Sequence, residues 1–220
     1  MYKVATNLLF SIDKEIAKPS SNVGKVWRIF IQGGILNVGD NIKITSVELE
    51  GQPKSVFDIE AEVKSIRGEH DVSIEGVKEI KVATKGSIVG IDVKNCYCNR
   101  KKIYKRDINI TEQSIGCLSY EKFSYYDEFY IKFVDAEKAF DIVKVGQNVV
   151  LLWFGKSISA KVMEIPDSVD GMHIKILYDK QLAIPDSHML REFFKKIIVS
   201  AEHKGEFRYF SGLFEFNQLN

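Results

Sequence analysis

Five cations fall between positions 100 and 106: Arg100, Lys101, Lys102, Lys105 and Arg106, with Tyr97 and Tyr104 close by. Basic side chains interleaved with aromatic ones can bind RNA, because the cations neutralise phosphates and the rings stack on bases. The same residues also suit a solvated strand end that keeps a sheet edge soluble and unpaired. Arg191, Lys195 and Lys196 form a smaller group in the second half of the chain. They read as the polar face of a strand.

Other residues with chemical potential are scattered. Glu69-His70-Asp71 places an imidazole between two carboxylates, a composition suited to proton transfer or metal binding. After Arg67-Gly68 it reads as an exposed hairpin loop. Asp186-Ser187-His188 follows Pro185 and reads as a turn. The four histidines (His70, His173, His188 and His203) are far apart in sequence, and no HExxH or serine-centred elbow occurs. Cys96 and Cys98 lie one residue apart on a strand-like stretch, with Cys117 as the third cysteine. The number is odd and the spacing is not CxxC, so neither a disulfide framework nor a zinc site follows.

Nucleotide chemistry lacks its motifs. No GxxxxGK[ST] loop occurs, so no glycine-rich loop cradles phosphates with a following lysine. No Asn-Lys-x-Asp segment is present to read guanine. The chain is read as having no catalytic centre, no cofactor and no metal.

Composition sets the wider frame. The 220 residues are 45% hydrophobic and 28% charged, ordinary for a folded globular protein. A formal net charge of +1 argues against binding driven by the field of the whole molecule and leaves room for a local basic patch. With no apolar run long enough to span a bilayer and no secretory leader, the protein is expected to be cytoplasmic.

Period-two alternation dominates the elements that must position these side chains. Strands are expected at 23–31, 41–44, 60–66, 76–82 and 88–93. In the second half they are expected at 127–134, 147–154, 157–165, 173–178, 192–200 and 205–216. The apolar stretch 147–154 reads as buried on both faces. A helical period is found only at 134–143, where it competes with a surface turn. Short strands at this spacing predict an all-β chain of barrels or sandwiches. The polar passage at 110–122 suggests a boundary, giving units 1–112 and 113–220.

The segment 23–44, VGKVWRIFIQGGILNVGDNIKI, carries a resemblance. It resembles the opening of the second domain of elongation factor Tu-type translation GTPases, the selenocysteine-specific factor included. Gly24 and Val26 match the first strand. Gly34, Ile35 and Leu36 match the turn and apolar pair. Val38, Gly39, Asp40, Ile42 and Ile44 match the end. Val63-Lys64-Ser65-Ile66 and Lys85-Gly86-Ser87-Ile88-Val89-Gly90-Ile91 resemble later strands of that domain, and 103–108 stands where its closing strand falls. The second half is similar to the family's third domain at Val145-Gly146-Gln147, at 193–199 and at Ser211-Gly212-Leu213-Phe214.

The resemblance implies two consecutive small β-barrels without the GTPase domain that precedes them in the family. It also implies a binding face near the opening strands, where Lys25 and Arg28 would lie, with Trp27 and Phe30 either a core pair or one of them an exposed anchor. Some positions depart from the family pattern. Ile29 and Arg106 replace glycines, and Ile88 and Arg67 stand where relatives carry an asparagine and a glutamate that hold the aminoacyl group. The usual aminoacyl pocket is therefore not implied.

Three functions remain open at this point. One is a non-catalytic translation-factor-like module binding tRNA, the ribosome or a partner GTPase domain, with no membrane contact. Another is a protein-interaction scaffold that has lost RNA binding. The last is the C-terminal part of a larger translation GTPase whose GTPase domain is missing or encoded separately. The candidate contacts are Lys25, Arg28, Arg100, Lys101, Lys102, Lys105 and Arg106.

Overall fold

The computed structural model of the chain describes residues 7–16, 25–52, 57–68, 79–111, 114–153, 156–166, 170–177 and 181–215. Gly24, the Glu69-His70-Asp71 triplet and the first part of the 76–82 stretch lie outside the described residues.

The first unit is built from β1 (Leu9–Ile16), β2 (Val26–Gly33), β3 (Ile35–Asn37), β4 (Asn41–Leu49), β5 (Phe57–Gly68), β6 (Glu79–Ile80), β7 (Val82–Thr84), β8 (Ile88–Cys98), β9 (Lys101–Lys102), β10 (Ile108–Ile110) and β11 (Ile115–Leu118). Antiparallel pairing runs β4-β11-β1-β2-β8-β5, and β5 returns to β4, closing a six-stranded barrel. Alternate side chains fill it: Phe10 and Ile12 from β1, Trp27, Ile29 and Ile31 from β2, and Ile42 and Ile44 from β4. Trp27 is fully buried while Phe30, on the other face of β2, is exposed. This settles their roles as one core residue and one surface residue.

The second unit contains β12 (Phe123–Tyr126), β13 (Glu128–Phe133), α1 (Ala136–Ile142), β14 (Asn148–Trp153), β15 (Lys156–Glu164), β16 (Gly171–Ile176), β17 (Leu182–Pro185), α2 (His188–Phe194), β18 (Lys196–His203) and β19 (Glu206–Glu215). β13-β16-β15-β14-β18-β19 form a closed barrel. Its core sets an aromatic group among aliphatic side chains. Phe129 and Phe214 have ring centroids 4.5 Å apart, and Trp153 lies 5.0 Å from Phe194. The all-β expectation of two successive small barrels is met.

Both barrels enter a strand by the same turn. Gly39, at φ +89, donates its N–H to the Val63 carbonyl at 2.8 Å, and Val63 N–H donates to the Asp40 carbonyl at 2.9 Å. Gly146, at φ +84, donates to Val162 at 2.8 Å, and Val162 donates to Gln147 at 2.9 Å. Positive φ at the third position of such a turn is what glycine supplies without steric penalty.

Several expectations need correction. The units divide at Lys122/Phe123 rather than 112/113. The polar passage is stitched into the first barrel. At a bulge in β4, the Ser46 carbonyl accepts from Thr111 Oγ1 at 2.6 Å and from Ser114 Oγ at 3.0 Å, and β11 pairs with β1 and β4. Residues 188–194 are helical, not strand or turn, because Leu190 and Phe194, one helical turn apart, are the buried pair. β14 buries one face only, Val149, Leu151 and Trp153, and leaves Val150 and Leu152 half-exposed. The 134–143 stretch does form α1, with Asp135 accepting from the Lys138 N–H at its start. Among the described residues no helix is long and apolar enough to cross a membrane.

Candidate nucleic-acid interface

The basic cluster stands on a β-hairpin. β8 and β9 pair Tyr97 with Lys102 and Cys98 with Lys101, leaving Asn99 and Arg100 as the two-residue loop. Their φ values are +48 and +65, both positive as a type I′ turn requires. Asparagine suits the first position. Arginine is a poor fit for the second, where the left-handed backbone costs a side-chain-bearing residue roughly 1–2 kcal/mol. Arg100, Lys101 and Lys102 are exposed.

After β9 the chain makes a short 3-10 turn, Lys105–Asp107, and enters β10. The turn splits its two cations. Arg106 faces solvent, with its guanidinium 5.0 Å from the Tyr104 ring centroid and its Nε 3.5 Å from Asp107. Lys105 does the reverse: only 14% of its side chain is exposed, and its ammonium meets the carboxylate of Asp92, itself 1% exposed. Lys64 approaches the other Asp92 oxygen at 3.2 Å from the solvent side. Burying a carboxylate demands such partners. Lys105 is therefore held against a buried carboxylate of its own barrel, with little of its side chain exposed.

Lys25 and Arg28 are likewise occupied. Lys25 Nζ donates to the Ile108 carbonyl at 3.1 Å and to Asn109 Oδ1 at 3.2 Å, and sits 3.2 Å from Glu15. It ties β2 to β10. Arg28 pairs with Asp13 at 3.1 Å across β1 and β2. The fold thus leaves Arg100, Lys101, Lys102 and Arg106 on the surface together with Tyr104, and gives Lys25, Arg28 and Lys105 partners within the barrel.

Asp92 is the neighbour of the basic cluster that sequence reading missed. Its place between Ile91 and Val93, the one charge in the run 88–93, was the available signal.

In the second barrel Arg191 lies on α2, not on a strand. Its Nε donates to the Pro185 carbonyl at 3.0 Å. Lys195 pairs with Glu192 at 2.5 Å, and Lys196 is exposed at the start of β18. Arg191, Glu192 and Lys195, with His188 and Glu215, border a shallow cleft of about 300 Å³ whose charges are mixed. The outer face of β18–β19 is mixed, with apolar side chains set among Lys196, Ser200, Glu202 and Ser211. Ile198, Phe207, Tyr209 and Leu213 stand on alternate positions of that face and are exposed.

The thiols are all free and buried. Burial pushes Cys96 up to about 11, with Lys105 opposing and Asp92 adding to the shift. Among the described residues no group of three or more His, Cys, Asp or Glu comes together to hold a metal ion.

No protein-family profile matches this chain, and no curated protein matches it. Its fold is similar to two crystal structures of the S. cerevisiae Ski7 GTPase-like domain, one bound to GDP and inorganic phosphate and the other to GTP. The TM-scores are 0.70 and 0.69, each at 13% identity, and the match covers 99% of this chain. It covers 47% and 46% of those chains, so this chain spans about half the length of the solved structures it matches. At that identity the likeness is one of fold, and it extends over both barrels.

Proposed function

We propose that this chain is a non-catalytic, translation-factor-like module that binds RNA, as tRNA or as part of the ribosome, through the β8–β9 hairpin of its first barrel. The observation that carries the reading is the surface cluster of Arg100, Lys101, Lys102 and Arg106 around Tyr104. These four cations lie within seven residues on a molecule whose net charge is only +1. Arg100 supports it further, because a charged side chain occupies a turn position better suited to glycine. The likeness to the GTPase-like domain supports the translation-factor half of the reading. A GTPase domain, if one acts with this module, is supplied from outside these residues. The cytoplasm is the compartment this role requires.

The test is a filter-binding titration of the 220-residue chain against tRNA at about 50 and 200 mM salt. Phosphate neutralisation makes affinity fall steeply between these conditions. Replacing Arg100, Lys101 and Lys102 by alanine should weaken binding and flatten the salt dependence. No binding at the lower salt removes the RNA reading.

A second reading, a protein-interaction scaffold, is favoured by the exposed apolar side chains on the outer face of β18–β19. Phe207 and Tyr209 are 59% and 63% exposed there, and aromatic side chains are enriched at protein interfaces. RNA binding absent at low salt, with self-association or protein capture abolished by Y209A, would favour it.

A further inference from the structure

We propose that the turn around Tyr104 is a preformed stacking site for an unpaired base of single-stranded RNA. The inference rests on the RNA-binding reading of the hairpin and narrows its ligand.

Tyr104 is 69% exposed, yet the backbone that carries it is held on several sides. The preceding Ile103 N–H donates to the Cys96 carbonyl at 2.9 Å. Asp107 N–H donates back to the Tyr104 carbonyl at 3.0 Å, and the Asp107 carbonyl accepts from Glu50 N–H at 2.8 Å. Next in sequence, Lys105 reaches inward to buried Asp92. Arg106 then sets its guanidinium over the tyrosine ring. An aromatic side chain on a free loop must be ordered when a ligand arrives, and that lowers affinity. Here the ordering is completed when the barrel folds. The buried Asp92–Lys105 pair gives the turn its position, and the flanking residues face out.

The chemistry selects unpaired bases. In a duplex the base faces are covered by their neighbours, so a protruding ring finds only phosphates, sugars and groove edges. A single strand offers a free base face, and stacking on it tolerates any base. The flanking phosphates have their counterions ready. Lys102 precedes Tyr104 by two residues, so the Cα atoms lie within about 7 Å along the chain, and Arg100 and Lys101 continue to the hairpin tip. No carboxylate occurs from 99 through 106.

The experiment measures fluorescence anisotropy of a labelled oligouridylate of about 12 nucleotides, within the usual site sizes for such surfaces. An RNA duplex of the same length and a glutamate peptide of matched charge serve as comparisons, all with the full chain. The single strand should bind more tightly than either. Y104A should weaken it about 5- to 100-fold without changing the salt slope, since stacking releases no counterions. Y104F should bind like the parent. The R100A/K101A/K102A variant should instead lower the slope by about 2. Equal binding of strand and duplex with Y104A silent overturns the stacking site and leaves the RNA reading standing. Equal competition by the glutamate peptide overturns it as well. Failure of every RNA to bind overturns the underlying RNA reading, and the stacking site with it.

Discussion

Asp40 and Gln147 perform the same task in the two barrels. Asp40 Oδ2 accepts from the Asn37 N–H at 2.8 Å, and Gln147 Oε1 accepts from the Lys144 N–H at 3.0 Å. Each closes a turn whose third residue is a glycine at positive φ and whose backbone hooks onto a neighbouring strand. An acid and an amide one methylene longer meet the same need because both offer an acceptor oxygen to the N–H three residues earlier.

Asp40 is 8% exposed and also accepts from Asn37 Nδ2 at 3.1 Å. D40A leaves the Asn37 N–H without its acceptor and should destabilise the chain by about 1–3 kcal/mol. D40N keeps an oxygen in place and should lose less. Urea unfolding midpoints of the two variants make the comparison, and equal losses would show that the oxygen is not what the turn requires.

The Asp92–Lys105 pair should show the asymmetry of buried charges. D92A leaves the Lys105 ammonium in a nearly buried place without its counter-ion and should cost about 3 kcal/mol. D92L/K105M removes both charges and should recover most of that loss, because the two apolar side chains need no partner. Lys64 stays solvated in either variant and should matter little. The readout is again the unfolding midpoint. A double variant no better than the single one would mean the pair contributes through packing rather than charge.

Arg100 should trade stability for binding. R100G relieves the left-handed strain at φ +65 and should raise stability by about 1 kcal/mol. It also deletes a surface cation from the proposed RNA contact, so affinity for RNA should fall. Thermal unfolding and the tRNA titration measured on one preparation give both signs. A variant that is more stable and binds equally well would separate Arg100 from the interface.

The Cys96 thiol makes stability sensitive to alkaline pH. In the unfolded chain it ionises near its ordinary value of 9, whereas burial pushes it up to about 11 in the barrel. Below pH 9 both states hold the proton and the full stability is present. Between 9 and 11 the unfolded chain has released a proton that the folded chain keeps, so stability falls as pH rises through that window. Burial raises Cys117 in the same direction. The urea midpoint should decline over this range, and C96A should flatten part of the decline. The native thiols should also react slowly with maleimide near neutral pH.

Legibility from sequence followed the strength of local signals. β2, β4 and β8 were readable because alternation meets turn glycines at Gly34, Gly39 and Gly86. β1 was not. Its pattern LFSIDKEI is interrupted by a register shift between Ile12 and Lys14, so alternation breaks within eight residues. α2 carries Phe193 and Phe194, aromatic residues that favour strands, and only the burial of Leu190 and Phe194, the latter against Trp153, selects the helix. The basic hairpin was legible as a cluster, but the direction of each cation was not.

Residue types and their periodicity determined that this chain would be all-β, with one concentrated stretch of positive charge and tyrosine, and the resemblance of 23–44 implied the two small barrels. Those properties are set by neighbours in sequence: alternation chooses the face, and glycine permits the bend. Only the tertiary structure decided that Lys105 turns inward while Arg106 turns outward, that 114–118 belongs to the first barrel, and that Lys25 and Arg28 are occupied. Each of these depends on a partner supplied by another strand or a distant carbonyl. A buried charge goes where its counter-charge is, and that place exists only once the sheet has closed.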